Sequence, residues 1–443
     1  MENIKKSSPV RIIFHLDMNS YFASCEQQEH PEWRGQPVGV CEHLGGIIIA
    51  ASVEAKQWGI KTGTPVWEAR KLYPKIILTP THPDVYRKYT ARFLKVVGDY
   101  TDEVEKYSID EVFIDATQSC NIKRPNGRGK YIKVDPWQEA ERVAREIKSR
   151  MKREVGDWLR CSIGIAENKL LAKIGSDYQK PDGLTIFRPE DKPRLYEKLK
   201  LTDIPGIARR TERNLGDLGI RSLADLRDYP ESKLVAHFGI MGYHLHQMGQ
   251  LEGSWKENLS EVDDEPIKSI GHMYTLPQEF RQQRVMKEVL YKLSEMVGAR
   301  LRVNRLMGSV VHVYLRDAQY EGSCGSRKLG YFLEDGRDIY LEAMGILLGQ
   351  NADLEFWQKN LYLIGVTVAG LAPRQHQQSL FKFDEKKRRL VRALDKVNDK
   401  YEDFTIARVP AFLARSIIRD SIGFGRMKEF KTSHVRGRQS RFS

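Results

Sequence analysis

The chain has 443 residues, with 72 Lys plus Arg against 59 Asp plus Glu and a formal net charge of +13; it is too long for one ordinary hydrophobic core, and its field suits a polyanion. No run approaches the ~20 apolar residues that span a bilayer, and the opening MENIKKSSPVRIIFHLD passes into a strand without a signal-peptide core, so the expected location is the cytoplasm. The five cysteines (Cys25, Cys41, Cys120, Cys161, Cys324) form no C-x-x-C pair, which argues against a zinc site and a disulfide framework.

RIIFHLDMN alternates apolar positions and predicts a strand ending on Asp17, and SYFASCEQQEH then carries the 3.6-residue spacing of a short helix. QPVGVCEHLGGIIIAAS predicts a strand pair turning at His43 to Gly46, followed by helices VEAKQWGI and PVWEARKLYP. Together these make a small mixed lobe. From Pro83, PDVYRKYTARFLKVVGDYT predicts a helix leading into the strand EVEKYSID and its return EVFIDAT. A second amphipathic helix, PWQEAERVAREIKSRMKREVG, leads into the strand LRCSIGIA. With the small lobe set aside the order is βαββαβ, the ferredoxin-like order. In it Asp17 and the hairpin acids Asp110 and Glu111 reach one edge of the same sheet.

After KPDGLTIFRPEDKPRLYEKL, the stretch LTDIPGIARRTERNLGDLGIRSLADL spells a helix-hairpin-helix. Its Gly206 turn would offer backbone N–H groups to a DNA phosphate, with Arg209, Arg210 and Arg213 close by; the alternative is an ordinary helical hairpin. Residues 252–266, EGSWKENLSEVDDEP, read as a polar linker. Beyond it a second βαββαβ pattern runs to about Pro373 and carries many Lys and Arg. The remainder, RQHQQSLFKFDEKKRRLVRALDKVNDKYEDF and a basic tail ending KTSHVRGRQSRFS, departs from that pattern.

Asp17, Asp110 and Glu111 form an all-oxygen set suited to Mg²⁺, because hard divalent ions prefer carboxylates. Two such ions sharing the acids would serve phosphoryl transfer; an adjacent Asp-Glu pair at a turn can equally be a solvated hairpin. The conjunction of blocks decides. FHLDMNSYFASCE, YSIDEVFID and CSIGIAENKLLAKIGSDYQKPDGLTIF, in that order and followed by the helix-hairpin-helix, resemble the signature blocks of the Y-family, translesion DNA polymerases. The nearest branch is the bacterial DNA polymerase IV-like one, with YFASCE and VEAK also similar to the catalytic subunit of DNA polymerase V. The resemblance covers about residues 11–372.

The resemblance implies an α+β multidomain fold: a ferredoxin-like palm (1–20 and 83–187), small fingers (21–82), a helical helix-hairpin-helix thumb (188–251), a linker (252–266), an α+β little finger (267–372) and a C-terminal tail (373–443). It implies a DNA-directed DNA polymerase working with two Mg²⁺ on primer-template DNA and dNTPs, monomeric, of low fidelity and off the membrane. Asp17, Asp110 and Glu111 would be catalytic and bind the metals, with the Met18 carbonyl also at the nucleotide-bound metal. Phe22 would be the steric gate that excludes a 2′-hydroxyl. Tyr21, Lys56 and Lys180 would bind the nucleotide. Gln377, Ser379, Leu380 and Phe381, within QQSLF, resemble the pentapeptide that docks on the sliding clamp, against a Leu-Phe pair packing on the body.

This chain also departs from the family pattern. Val53 and Lys56 stand where relatives place a phosphate-binding Tyr and Arg, so a bidentate clamp becomes a point charge. Asn19 replaces a second acid, a change read as tolerable. Ile47 and Ile49 stand at positions over the templating base that often hold small residues, and would tighten the roof. Two rivals remain: a catalytically idle DNA-binding adaptor, whose acids would be lost, and a two-metal nucleotidyl cyclase, which would have no duplex to hold.

Overall fold

The computed structural model describes residues 9–42, 44, 46–125, 131–252, 267–319, 321–349, 361–374, 382–401 and 405–418. They fall into two compact units, which divide between residues 265 and 266.

The first unit is organised around β1 (Ile13–Met18), whose six residues are all buried. Its even positions, Phe14, Leu16 and Met18, enter one core and Ile13 enters another, so the strand is covered on both faces. Alternation then places His15 and Asp17 on the Ile13 side. Helix α1 (Tyr21–Glu29) follows. The small lobe comes next: β2 (Val38–Cys41), β3 (Ile48–Ala51), α2 (Val53–Gln57), α3 (Val66–Leu72) and β4 (Ile77–Thr79). Its sheet runs β3-β2-β4, with β4 parallel to β2, and has its own core around Ile48, Ile60 and Val66.

Helix α4 (Pro83–Gly98) buries Tyr86, Tyr89, Thr90, Phe93 and Val97, the stripe that period 3.6 requires. The hairpin follows as β5 (Val104–Lys106) and β6 (Glu111–Asp115); residues 107–110 form its turn rather than extending the strand, with Tyr107 and Ser108 N–H both donating to the Glu111 carbonyl. A short helix α5 (Thr117–Cys120) and the pair β7 (Lys123–Pro125) and β8 (Tyr131–Lys133) precede α6 (Pro136–Arg150). Asp135 caps α6 by accepting from the Trp137 N–H. Strand β9 (Cys161–Ala166), α7 (Lys169–Tyr178) and β10 (Leu184–Ile186) complete the layer.

The sheet order is β10-β9-β1-β6-β5. Its last four strands have the ferredoxin-like arrangement that the βαββαβ order predicts, and β10 adds a parallel edge to β9. Helix α7 lies close on β9 because Gly164 has no side chain: a Cβ there would stand 2.0 Å from the Ala172 carbonyl oxygen. That approach brings α7 within reach of the acids on the odd face of β1 and β6.

The helical lobe holds α8 (Lys192–Lys198), α9 (Arg209–Asp217), α10 (Leu223–Asp228), α11 (Glu231–Phe238) and α12 (Ile240–Gly249) around Leu195, Ile207, Leu215, Leu226 and Leu245. The expected first helix of the helix-hairpin-helix is a single 3₁₀ turn, Leu201–Asp203.

The second unit contains β11 (Ser269–Thr275), α13 (Gln283–Val303), β12 (Leu306–Asp317), β13 (Gly322–Leu333), α14 (Gly336–Leu347) and β14 (Leu361–Pro373). The element order repeats that of the first sheet, yet the strands run β11-β14-β12-β13, all antiparallel, with the last strand between the first and second. Two more helices follow, α15 (Lys382–Tyr401) and α16 (Val409–Leu413). Within the expected tail, residues 373–443, the amphipathic stretch EKKRRLVRALDKVNDKYEDF reads as an appended helix and α15 matches it; the difference is that the chain as far as Ile418 packs into this unit. Ala414, Ile417 and Ile418 enter the core of this unit, Tyr274 Oη donates to the Ile417 carbonyl (2.6 Å) and buried Lys292 donates to that of Ile418 (2.6 Å). Arg302 grips Asp395 through two 2.7 Å bonds, and Arg408 reaches Asp335 and Glu295. The apolar run around Val409 and Phe412 carried this signal, masked by the basic residues around it. Residues 377–381, the expected clamp pentapeptide, and 253–266, nearly all of the expected linker, lie outside the described residues.

Candidate active site

Asp17 and Glu111 are direct partners in the antiparallel pairing of β1 with β6, and the Met18 N–H donates to the Asp110 carbonyl at 2.9 Å. The sheet thus gathers the three acids at one edge, as the topology predicts. Each carboxylate is turned to its own partners. Lys180 Nζ lies 2.8 Å from Asp17 Oδ1, Lys173 Nζ lies 2.6 Å from Glu111 Oε2, and Ser108 Oγ donates to Asp110 Oδ1 at 2.5 Å. Among the described residues no three acidic, His or Cys side chains are gathered in an arrangement that could hold a metal ion. The expected ligand set is brought together by the strands but not assembled as a cage: lysine ammonium groups take oxygens of Asp17 and Glu111, and the Ser108 hydroxyl takes one of Asp110.

The electrostatics separate the acids. Burial pushes the Asp17 carboxyl up to about 7, Lys180 opposes the rise, and the charges of Glu111 and Asp110 add to it. Asp110 is raised as well, chiefly by burial. Burial also works to raise Glu111, but His15 and Lys173 outweigh it and hold the group down at about 2. His15 is itself driven down to about 4 by burial; its Nδ1 meets Ser176 Oγ at 2.7 Å and its Nε2 lies 3.4 Å from Glu111. Three carboxylates gathered here, each a hard ligand, fit a divalent cation such as Mg²⁺, whose charge would offset the burial that keeps Asp17 and Asp110 high.

Lys56, on α2, joins the same neighbourhood: burial and the Lys180 charge lower its ammonium, and Asp17 opposes them. Lys180 bonds Asp177 at 2.7 Å as well as Asp17. Asn19 is more than a tolerated substitution. Its Oδ1 accepts from the Asp182 N–H at 2.6 Å and its Nδ2 donates to Ser162 Oγ at 3.0 Å, tying the loop that carries Lys180 to β9. Lys148 holds the other side of that loop through the carbonyls of Cys161, Asp182 and Gly183 and the Asp182 carboxylate.

Phe22 is 4 % exposed and stacks on Tyr86. The side chain of Tyr21 turns into the core: its hydroxyl donates to the Tyr86 carbonyl at 2.8 Å and meets Thr90 Oγ1 at 2.9 Å. A Tyr at the first helical position with apolar α4 beneath it buries its ring, so only main-chain groups of Tyr21 remain for a ligand. Ile49 packs against the first core, and Ile47 is exposed and bridges to Pro65. Gly206 has φ +100° and is exposed, and Arg209, Arg210 and Arg213 are exposed at the start of α9.

Sequence reasoning passed over His15, Lys148 and Lys173. The signal for Lys173 was present: Lys169 and Lys173 are one turn apart on the otherwise apolar KLLAKIGS, on the side of α7 that meets the sheet.

Comparison with known proteins matches residues 16–177 to the impB/mucB/samB family and residues 267–380 to that family's C-terminal domain. The chain is 34 % identical to the DNA polymerase IV of Moorella thermoacetica over 414 residues, covering 92 % of this chain and 97 % of that protein. It is 32 % identical to DNA polymerase IV 1 of Bacillus subtilis over 403 residues, covering 88 % and 91 %. Among solved structures, a Y-family DNA polymerase chimera of Dbh and Dpo4 is similar with a TM-score of 0.69 at 24 % identity, over 82 % of this chain and 99 % of that one.

Proposed function

The chain belongs to the impB/mucB/samB family, the Y-family DNA polymerases, and from that premise we propose that it is a template-directed, translesion DNA polymerase of the DNA polymerase IV type. The observation that carries this reading is the meeting of Asp17, Asp110 and Glu111 at one sheet edge with Lys180 beside them. An idle adaptor would have no reason to retain three acids at such an electrostatic cost.

In this reading the reaction is attack of a primer 3′-hydroxyl on the α-phosphate of a dNTP, with pyrophosphate leaving. Asp17, Asp110, Glu111 and the Met18 carbonyl would hold two Mg²⁺, which when bound supply Lewis acidity toward the attacking and leaving oxygens. Lys180 leaves Asp17 for the triphosphate, and with Lys56 neutralises charge growing on the leaving group. Lys173 and His15 keep Glu111 ionised and aimed at the sheet edge. Phe22 lies beneath the sugar and excludes a 2′-hydroxyl.

The first sheet would serve as palm, the small lobe as fingers, the helical lobe as thumb and the second unit as little finger. A lobe as small as β2–β4 has little mass to check a nascent base pair, which supports low fidelity. Gly206 and the arginines of α9 would hold a DNA phosphate, and Gln377, Ser379, Leu380 and Phe381 would dock on a sliding clamp. We assign the protein to the cytoplasm as a monomer; no described helix is long and apolar enough to cross a membrane.

The test is primer extension on an undamaged template with Mg²⁺, comparing wild type with Asp110→Ala/Glu111→Ala. Wild type should extend and the variant should not. Equal activity would remove the site, and inactivity of both would restore the adaptor.

A further inference from the structure

The signature segment YFASCE ends on Glu26, a residue to which the mechanism gives no part. Glu26 is 1 % exposed in a core of aromatic rings. A carboxylate held there costs several kcal/mol unless its oxygens are fully satisfied. They are: Tyr86 Oη donates to Oε1 at 2.6 Å, and His82 Nδ1 lies 2.9 and 3.0 Å from the two oxygens.

The arrangement follows from helical spacing on both sides. Phe22 and Glu26 are one turn apart on α1, and His82 and Tyr86 are one turn apart across the start of α4. Glu26 therefore bonds the side chains of both His82 and Tyr86 while Phe22 lies on the ring of Tyr86. The two rings are nearly parallel, 9° apart with centroids at 4.3 Å. A parallel stack resists separation but slides easily in its own plane, so dispersion alone does not fix where Phe22 sits. A hydrogen bond at the far end of the Tyr86 ring does. Burial, reinforced by the charge of Glu26, pushes the Tyr86 hydroxyl well above its ordinary range, so it stays protonated and remains the donor. The Tyr86 carbonyl in turn holds the Tyr21 hydroxyl, pinning the residue next to Phe22.

We propose that Glu26 is a positioning residue for sugar discrimination: through its bond to the Tyr86 hydroxyl it fixes the ring on which Phe22 rests, and so sets the depth of the wall that meets a 2′-hydroxyl. This rests on the reading of Phe22 as steric gate. Loosening the anchor lets the Phe22 ring yield, which admits a ribonucleotide while leaving a deoxyribonucleotide little affected.

The test is single-nucleotide insertion opposite template dG, with kcat/KM measured for dCTP and rCTP in wild type, Phe22→Ala, Tyr86→Phe, Glu26→Leu and the Tyr86→Phe/Glu26→Leu double variant. Tyr86→Phe removes one oxygen, keeps the stack and leaves His82 on both Glu26 oxygens, and the double variant also removes the buried carboxylate, so the ratio can be read even where Glu26→Leu alone does not fold. It should raise the rCTP/dCTP efficiency ratio about tenfold, the scale of one lost hydrogen bond to a charged group. The double variant should show no further rise in that ratio beyond either single one, because both cut the same link. A merely structural contact would lower both efficiencies together and leave the ratio unmoved. If Phe22→Ala shifts the ratio and Tyr86→Phe does not, or if the two substitutions add, the positioning role is overturned while the gate reading stands. If Phe22→Ala itself leaves the ratio unchanged, the gate reading fails and this proposal with it.

Discussion

The buried ion pair between α7 and the hairpin offers a prediction whose size follows from its burial. Lys169 Nζ lies 2.6 Å from Glu105 Oε2, and the two side chains are only 6 % and 4 % exposed. Glu105 pairs across the hairpin with Phe113, over whose ring the Lys169 ammonium sits at 5.8 Å, so both charges lie against the apolar layer beneath the acids. Lys169→Met keeps the length of the side chain and removes its charge, leaving the Glu105 carboxylate buried without its ammonium. The expected loss in unfolding free energy is up to about 3–5 kcal/mol, the scale of removing one member of a buried pair. In urea unfolding followed by circular dichroism that is a fall in midpoint of roughly 1–2 M for the transition of the first unit. Adding Glu105→Leu should restore most of the loss, because the site then holds two apolar groups of similar volume. The single variant should also extend primers more slowly, since Lys173, one turn along α7, is what holds Glu111. A loss below about 1 kcal/mol for Lys169→Met, or a double variant less stable than either single one, would refute the argument.

Asn19→Ala removes its bonds to Asp182 and Ser162, leaving the Lys180 loop to Lys148, and should raise KM for dNTP about tenfold with a smaller change in kcat, read by steady-state single-nucleotide insertion. Arg209→Ala, Arg210→Ala and Arg213→Ala together should reduce the slope of log affinity against log salt for duplex DNA by about 2–3, measured by fluorescence anisotropy; an unchanged slope would leave the helical hairpin with no phosphate contact. Asp395→Ala removes the carboxylate partner of Arg302, whose side chain is 9 % exposed and keeps only its bond to the Glu334 carbonyl among those described, and should make α15 the first site of cutting in limited proteolysis. Ile49→Ala should raise bypass of a bulky template adduct in primer extension, and no gain would count against a tight roof over the template.

The elements that could be read from the sequence are those whose periodicity and order carry the information. Strand β1 was visible from alternation, α4 and α6 from their 3.6-residue stripes, and βαββαβ order then put Asp17 beside Asp110 and Glu111 because few topologies are open to it. The second unit shows the limit of that reasoning. The same order of elements there gives a different strand order, since the choice of neighbour for β14 is made by packing rather than by local pattern.

The charges around the acids illustrate the same limit more sharply. Whether Lys173 or Lys180 reaches a given carboxylate depends on the rotation of α7 and its distance from the sheet, which rests on Gly164 having no Cβ and on contacts with residues about 60 to 160 positions away. A sequence shows that a lysine is present; only the closed packing shows that its ammonium is where a divalent ion would otherwise be needed. The site therefore has two ways of balancing Asp17 and Glu111, with lysines or with metal, and one of those lysines, Lys180, is also proposed to meet the triphosphate. In the proposed reading Lys180 can move from Asp17 to a phosphate only if something else neutralises Asp17, so metal binding and release of this lysine would be coupled. Lys180→Met should accordingly tighten binding of Mg²⁺ alone while weakening that of dNTP, and isothermal titration of each separately would reveal it. Weakened binding of both would mean that Lys180 holds the site together rather than guarding it.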